Sequence, residues 1–396
     1  MGCRGACLVA GALTTAVLAS CIGLFTEPSA APVPIPTQRL AVTVEWTCLL
    51  EADGEIGCVG SFVPPRLTPG DGSLRFVMID GGTVHACGLT ADSSAFCWGG
   101  NSYGQLGDGT TMNRDRPSKV DSPVKFVSLA AGAAATCGLD PAGRAYCWGR
   151  RERGQVGDGL ARENTIATRP AAVSGSQRFV AVDGASVSCG LTKEGRTYCW
   201  GYVADGFELH GQPGDCGSSY YYLYHGKQCL TPTPLVTSLR FTRITASGCG
   251  ATRSGAAYCW GEGDAGQLGD GRFGVSSMAP VAVQGGHSFR QLTEGWYHRC
   301  GLDIMGEAYC WGNNFSGQLG IGTEGVEDGG LSARNVPTAV LTEQRFVELE
   351  AGSYRTCGLT AADELWCWGY NRAASFGPGA TEAFYPVPVR VEMPPG

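Results

Sequence analysis

The sequence is poor in charge and in histidine, and it lacks the short motifs on which most enzymes rest. Charged residues make up 16% of its 396 residues, and the net charge is −7. No run of clustered Lys or Arg supplies the basic stripe expected of a nucleic-acid binder. There is no G-x-S-x-G, no H-E-x-x-H, no P-loop and no dinucleotide fingerprint. The five histidines, His85, His210, His225, His287 and His298, are scattered along the chain. Cysteines never fall as C-x-x-C, the tight ligand pair a zinc array would use. The steps Asp108-Gly109, Asp158-Gly159 and Asp270-Gly271 offer one carboxylate at a time. Calcium needs six or more oxygens, so these read as turn residues. The expectation is a protein that is not an enzyme and has no metal, no cofactor and no nucleic-acid partner.

What is present is glycine, cysteine and apolar residues. Gly numbers 61 and the hydrophobic content is 43%, a mix that suits a turn-rich β protein with a sizeable core. Of the 19 cysteines, fourteen form a ladder of pairs ten residues apart. The ladder pairs Cys48 with Cys58, Cys87 with Cys97, Cys137 with Cys147, Cys189 with Cys199, Cys249 with Cys259, Cys300 with Cys310 and Cys357 with Cys367. Cys216 and Cys229 form an eighth pair inside the fourth repeat. All eight are expected to be disulfides. A framework of this kind forms in oxidising compartments and not in reducing cytosol.

Repeats of this length point to a propeller or a solenoid. The segment 126–149, FVSLAAGAAATCGLDPAGRAYCWG, reads as strand, Gly turn, strand, tight turn, strand. A Gly-rich excursion such as 98–109 follows, and a Pro-containing strand such as 116–120 closes the unit. Four short strands per repeat are the content of a propeller blade. In CGLTADSSAFC the centre of symmetry is Asp92, so Cys87 faces Cys97 across an antiparallel hairpin, close enough for a disulfide. The recurrent Trp of C-W-G (Trp98, Trp148, Trp200, Trp260, Trp311, Trp368) is expected between blades.

Residues 1–20 have a positive residue, Arg4, and then an apolar run ending in Leu18-Ala19-Ser20-Cys21. This resembles a bacterial lipobox, which makes 1–20 a lipoprotein signal peptide and Cys21 the lipidation site; an ordinary signal peptide cleaved later is the alternative. Residues 21–38 are a Pro-rich, lipid-anchored linker. The propeller spans 39–393.

Segments such as CGLDIMGEAYCWGNNFSGQLGIG (300–322) resemble the RCC1 (regulator of chromosome condensation) repeat. The G-Q-L-G signature recurs at 104–107, 154–157 (with Val156), 266–269 and 317–320. The first repeat lacks it and ends Cys58-Val59-Gly60; the seventh reads Ala374-Ser375-Phe376-Gly377. The resemblance implies an all-β, seven-bladed propeller with one disulfide hairpin per repeat. The paired cysteines suit an exported bacterial branch. It also implies a rigid disc whose loops bind another protein; the lipobox-like segment puts that disc on the cell envelope, in the periplasm or at the cell surface, and a monomer is expected.

If the strands of a repeat are A to D, the A–B and C–D loops emerge on one face. That face is expected to gather His85, Trp296, Tyr297, His298, Arg299, Tyr354 and Arg355. It should also carry the insertion of repeat four, with Tyr220, Tyr221, Tyr222 and Tyr224 framed by Ser and Gly. Such a composition is that of adaptable binding loops. The same insertion could instead plug the central channel. Two further functions stand beside protein binding: an exported inhibitor of a secreted enzyme, and a carbohydrate-binding or carbohydrate-hydrolysing propeller.

Overall fold

The computed structural model describes residues 38–394, except 62, 68–73, 161–164, 185–186, 204–215, 219–226, 247 and 324–331; at 202–203, 216–218 and 227–228 it describes the backbone. Cys21 and the four tyrosines of the insertion therefore lie outside the described residues.

Seven antiparallel sheets follow one another, each made from one uninterrupted stretch of chain. Blade 2 is typical: Phe76–Gly81, His85–Thr90, Ala95–Gly99 and Arg114–Lys119 pair in sequence order. Its strand A is innermost. The A strands of neighbouring blades pack on one another all the way round, including Phe346–Ala351 of blade 7 on Leu40–Val42 of blade 1. The ring is closed, and its axis is lined by strand A of every blade.

Two blades depart from four strands. Blade 1 has three among the described residues (Leu40–Val42, Trp46–Leu50, Ile56–Gly60), with an isolated bridge between Gly57 and Arg66. Blade 4 gains an outer strand, Cys216–Ser218, paired with Lys227–Pro234 so that Cys216 stands opposite Cys229.

The cysteine ladder is a set of hairpin staples. Cys48 is bonded to Cys58, Cys87 to Cys97, Cys137 to Cys147 and Cys189 to Cys199. In the last three blades Cys249 is bonded to Cys259, Cys300 to Cys310 and Cys357 to Cys367. The S–S lengths run from 1.95 to 2.09 Å and the Cα–Cα distances from 4.0 to 4.1 Å. Each bridge joins strand B to strand C within one blade, where its two cysteines stand directly opposite each other. All fourteen cysteines are buried. Seven such bridges belong to an oxidising, extracytoplasmic setting.

Between blades lies an aromatic layer. The six C-W-G tryptophans are at most 1% exposed. Each sits near the phenylalanine at, or in blade 3 two residues before, the start of strand A of its own blade, with centroids 5.7 to 6.0 Å apart. The next layer of contact explains G-Q-L-G. The Trp148 indole N–H donates to the Gln105 carbonyl of the preceding blade (2.9 Å), as Trp311 does to Gln267 (3.0 Å). The glycine two residues on lies flat against the same ring. A Cβ on Gly107 would stand 2.7 Å from Trp148 Nε1, and φ there is +69°. The motif is thus a latch that clamps the indole of the following blade.

Blade 1 is built without these parts, and its neighbours compensate. Val59 occupies the Trp position, and the blade 7 loop that covers it carries Phe376 where blades 2, 3, 5 and 6 carry Leu or Val. The larger ring fills the space the indole leaves. The seam between blades 7 and 1 is a continuous apolar cluster that includes Leu40, Val42, Leu49, Val59, Leu359, Phe376 and Val391.

Gly107→Ala should therefore destabilise the fold by about 2–4 kcal/mol, from left-handed strain plus overpacking against Trp148. Gly274 has a similar φ of +68°, but a Cβ there would meet nothing within 4 Å. Gly274→Ala should cost only about 1 kcal/mol. Urea unfolding midpoints of the two variants check the difference.

Candidate protein-binding face

Strand order places the A–B and C–D loops of all blades on one face of the disc. The connection between Val203 and Lys227 of blade 4, which contains Tyr220, Tyr221, Tyr222 and Tyr224, leaves from and returns to that face.

Four of the residues expected at the surface of this face are inside the wall instead. His85 and His298 are fully buried, Arg355 is 2% exposed and Arg299 is 6% exposed. They lie on the first two positions of strand B, where side chains turn between blades and not toward solvent. His85 Nε2 lies 2.8 Å from the Thr136 hydroxyl, which donates onward to the Gln105 carbonyl at 2.8 Å. His298, Thr356 and Gln318 repeat the relay between blades 6 and 7 at 2.9 and 3.1 Å. Because the hydroxyl proton is committed to the carbonyl, the imidazole must donate from Nε2. Burial holds both imidazoles neutral, pushing them down to about 3; Arg299 adds repulsion at His298. Arg355 bonds the Thr43 and Trp46 carbonyls of blade 1 and the Ser375 hydroxyl. Arg299 bonds the Gly295 and His298 carbonyls, both at 2.9 Å, beside Glu294. These four side chains join blades or pin loops; they are not available to a partner.

The aromatic residues of the same loops behave differently. Trp296 is 48% exposed and Tyr297 43%. Of the nine tryptophans, Trp296 alone is exposed. It packs edge-on against half-buried Tyr354 of blade 7 at 5.3 Å, and Tyr297 approaches the same ring at 6.4 Å. The backbone fixes this cluster, since Trp296 N–H donates to the Ser353 carbonyl of the neighbouring loop at 3.2 Å. Phe315, on the blade 6 C–D loop, is also exposed on this face, as is Val84 on the blade 2 A–B loop.

The Asp-Gly steps are turn elements. Asp108 accepts from the Thr110 N–H at 3.0 Å and pairs with Arg114 at 2.8 Å, while Asp158 and Asp270 pair with Arg151 and Arg272. Among the described residues, no three His, Cys, Asp or Glu side chains converge as a metal-binding group.

Sequence reasoning missed a different set, the carboxylates of the axis. Asp80, Asp183 and Glu350 stand directly across from the first cysteine of their own blades, so they occupy one level of the ring. Acidic residues recur just before the Gly-containing A–B turn (Asp80, Asp183, Glu294, Glu350), and that recurrence was the available signal.

A closed propeller stapled by disulfides, with its internal aromatics consumed by packing and a few exposed on one set of loops, is a scaffold that presents a surface. The chain belongs to the RCC1-like domain family, whose model matches residues 51–395. It is 29% identical over 350 residues to the E3 ubiquitin-protein ligase HERC2 of Mus musculus, a match covering 82% of this chain and 7% of HERC2. It is 30% identical over 206 residues to the ultraviolet-B receptor UVR8 of Arabidopsis thaliana, covering 50% of this chain and 42% of the receptor. The chain thus matches less than half the length of either relative, and both are eukaryotic. Among solved structures, human WBSCR16 superposes with a TM-score of 0.69 at 23% identity, covering 84% of each chain. Prp20p of Saccharomyces cerevisiae gives 0.66 at 22% identity, covering 84% of this chain and 79% of its own. These two likenesses show the fold.

Replacing Thr356 by Val removes the acceptor of His298 and the donor to Gln318 while keeping volume. The variant should lose about 1–3 kcal/mol, since two buried polar groups are left unpaired. Denaturant unfolding at neutral pH checks this.

Proposed function

We propose that this chain is a non-catalytic, protein-binding propeller of the bacterial cell envelope, tethered through Cys21 and presenting the Trp296–Tyr297–Tyr354 cluster to its partner. The exposed cluster is the observation that carries the reading. An exposed tryptophan packed on one tyrosine that a second also approaches, on a disc whose other tryptophans are buried or half-buried, has the make-up of an interface anchor. Rigid support matters here, because the A–B loops of blades 6 and 7 are tied together by main-chain hydrogen bonding and binding would order little that is not already ordered. Structures of Prp20p, reported with its binding properties to Gsp1p and histones, and of Kap60 bound to yeast RCC1 (Prp20), support the use of this fold for protein recognition.

The Tyr-rich insertion starts and ends on the same face, so Tyr220, Tyr221, Tyr222 and Tyr224 would extend the surface. His85, His298, Arg299 and Arg355 support it from beneath. The tether rests on the lipobox-like Leu18-Ala19-Ser20-Cys21, and the seven buried disulfides support export.

Crosslinking of intact cells followed by mass spectrometry identifies the partner. Trp296→Ala, and the double change Tyr221→Ala with Tyr222→Ala, should each weaken capture at least about tenfold, the scale of a lost aromatic anchor, with an unchanged melting temperature. Equal capture by both would remove the face from consideration. Incorporation of an alkyne fatty acid that is lost in Cys21→Ser would establish the tether; no labelling of the unaltered chain would refute it.

A further inference from the structure

The axis of the disc holds more carboxylate than its surroundings can comfortably keep ionised. At the level of the first cysteines, the seven A strands present Ala41, Asp80, Ala130, Asp183, Thr245, Thr293 and Glu350. Asp80 accepts from the Ala131 N–H of blade 3, and Asp183 accepts from the Ala246 N–H of blade 5 at 3.2 Å. Thr293 accepts from the Ala351 N–H of blade 7 at 2.9 Å, which is the same bond made by an uncharged residue. Below this level, Glu348 accepts from the Arg39 and Leu40 N–H groups of blade 1, at 2.9 and 3.0 Å. Blade 1 contributes only Ala41 at the ring level, and Gln38 bridges the gap. Its amide donates both to Asp80 of blade 2 and to Glu350 of blade 7, the latter at 3.2 Å.

We propose that these axial carboxyl groups, clasped across the blade 7–1–2 seam by Gln38, form a proton-operated lock on ring closure: tight while they are protonated, loosened when all are ionised. The lock does not depend on the partner-binding reading. Burial is the main cause in each case. It raises Asp80 and Glu348 to about 7, and it raises Asp183 and Glu350 well above the usual carboxylate range. Mutual repulsion adds to it, from Glu348 on Asp80, from Glu294 and Asp80 on Asp183, and from Asp80, Glu348 and Asp183 on Glu350. The cations nearby offset this charge only in part: Arg39 draws Glu348 down, but not enough to outweigh its burial. Arg39 is directed to the Leu50 carbonyl and Asp363, and Arg299 lies beside Glu294. Arg290 bonds the Asp303 and Phe346 carbonyls. Arg243, on strand A of blade 5, is itself held below its usual range by burial and by Arg290.

The sign follows from linkage. A carboxyl raised in the folded state binds its proton more tightly there than in the unfolded chain. Its stabilisation is complete below about pH 4 and is lost as pH rises through the folded value. His85 and His298 are lowered, so their linkage runs the other way, but it is at half strength at about pH 6.5 and fades within about one pH unit above it. The window from about pH 7 to 8.5 is therefore governed mainly by the carboxyls.

Thermal melts of the full oxidised chain across that window should show Tm falling by several degrees as pH rises. Asp80→Asn and Glu350→Gln should each reduce that slope and raise Tm at the alkaline end. A flat or rising Tm in the unaltered chain, or an undiminished slope in both variants, would overturn the proposal. Hydrogen exchange on the unaltered chain gives a second reading that needs no variant. After correction for intrinsic rates, peptides covering 38–50 and 126–139 should lose protection as pH rises, ahead of the blade 5 peptide 249–259. Uniform protection across the window would also overturn it.

Discussion

A ring of sheets leaves no apolar face in water only if its last sheet packs on its first. Everything else in this molecule is arranged around that condition. Many closed rings are secured by letting one blade borrow a strand from the other end of the chain. Here, among the described residues, each sheet is one continuous stretch, so closure rests on side chains. Apolar packing of Leu40, Val42 and Val59 against Leu359, Phe376 and Val391 supplies the area. Arg355, Glu348 and Gln38 supply direction, because each reaches a particular backbone or side-chain group of another blade. Directional bonds in a buried, low-dielectric seam are strong when satisfied and expensive when broken. That makes the seam the natural place for the protonation state of a few groups to be felt.

The repeat architecture was open to reading because the packing rules repeat with the sequence. The paired cysteines set the B–C hairpin register, which the structure reproduces residue for residue, from Cys48 opposite Cys58 to Cys357 opposite Cys367. Two rules ran deeper than the motif itself. In C-G-L the glycine is required by the phenylalanine of strand A, whose ring would lie 2.5–2.7 Å from a Cβ at Gly88, Gly138 or Gly301. Blade 1 has no such phenylalanine among its described residues, and it carries Leu49 in that position. The site was less legible. Loop membership put His85, His298, Arg299 and Arg355 on the correct side of the disc, but not at its surface. Whether a residue at a turn points out or between blades depends on its place in the strand B register, and composition does not carry that. The axial carboxylates escaped for a related reason. Each is a single acidic residue in its own repeat, and only the closing of the ring brings them together.

Rigidity and recognition divide cleanly between parts of the chain. The disulfides tie B to C within each blade, the indoles tie blade to blade, and neither is spent on a partner. What remains exposed on the A–B and C–D loops is free to vary without disturbing the wall. This is the usual relation between a scaffold and its binding loops. It accounts for how a shared fold serves relatives as different as a ubiquitin ligase and a light receptor, and why the fold alone names no partner.

Among the described residues no strand is exchanged between blades, which leaves the order of the blades unconstrained by the covalent path. Strand D of blade 7 ends at Val391, and strand A of blade 1 begins at Leu40, on the same side of the disc. Between blades 6 and 7 the equivalent step, Ala339 to Phe346, is made by the six residues 340–345. Past strand D of blade 7, the Pro394 carbonyl accepts from Arg66 of blade 1 at 2.8 Å. Joining the two ends there and opening the chain in any other D–A turn would give a circular permutant in which all seven sheets keep their strands and all seven staples stay within a blade. The propeller is, in this sense, a circle whose seam lies between blades 7 and 1.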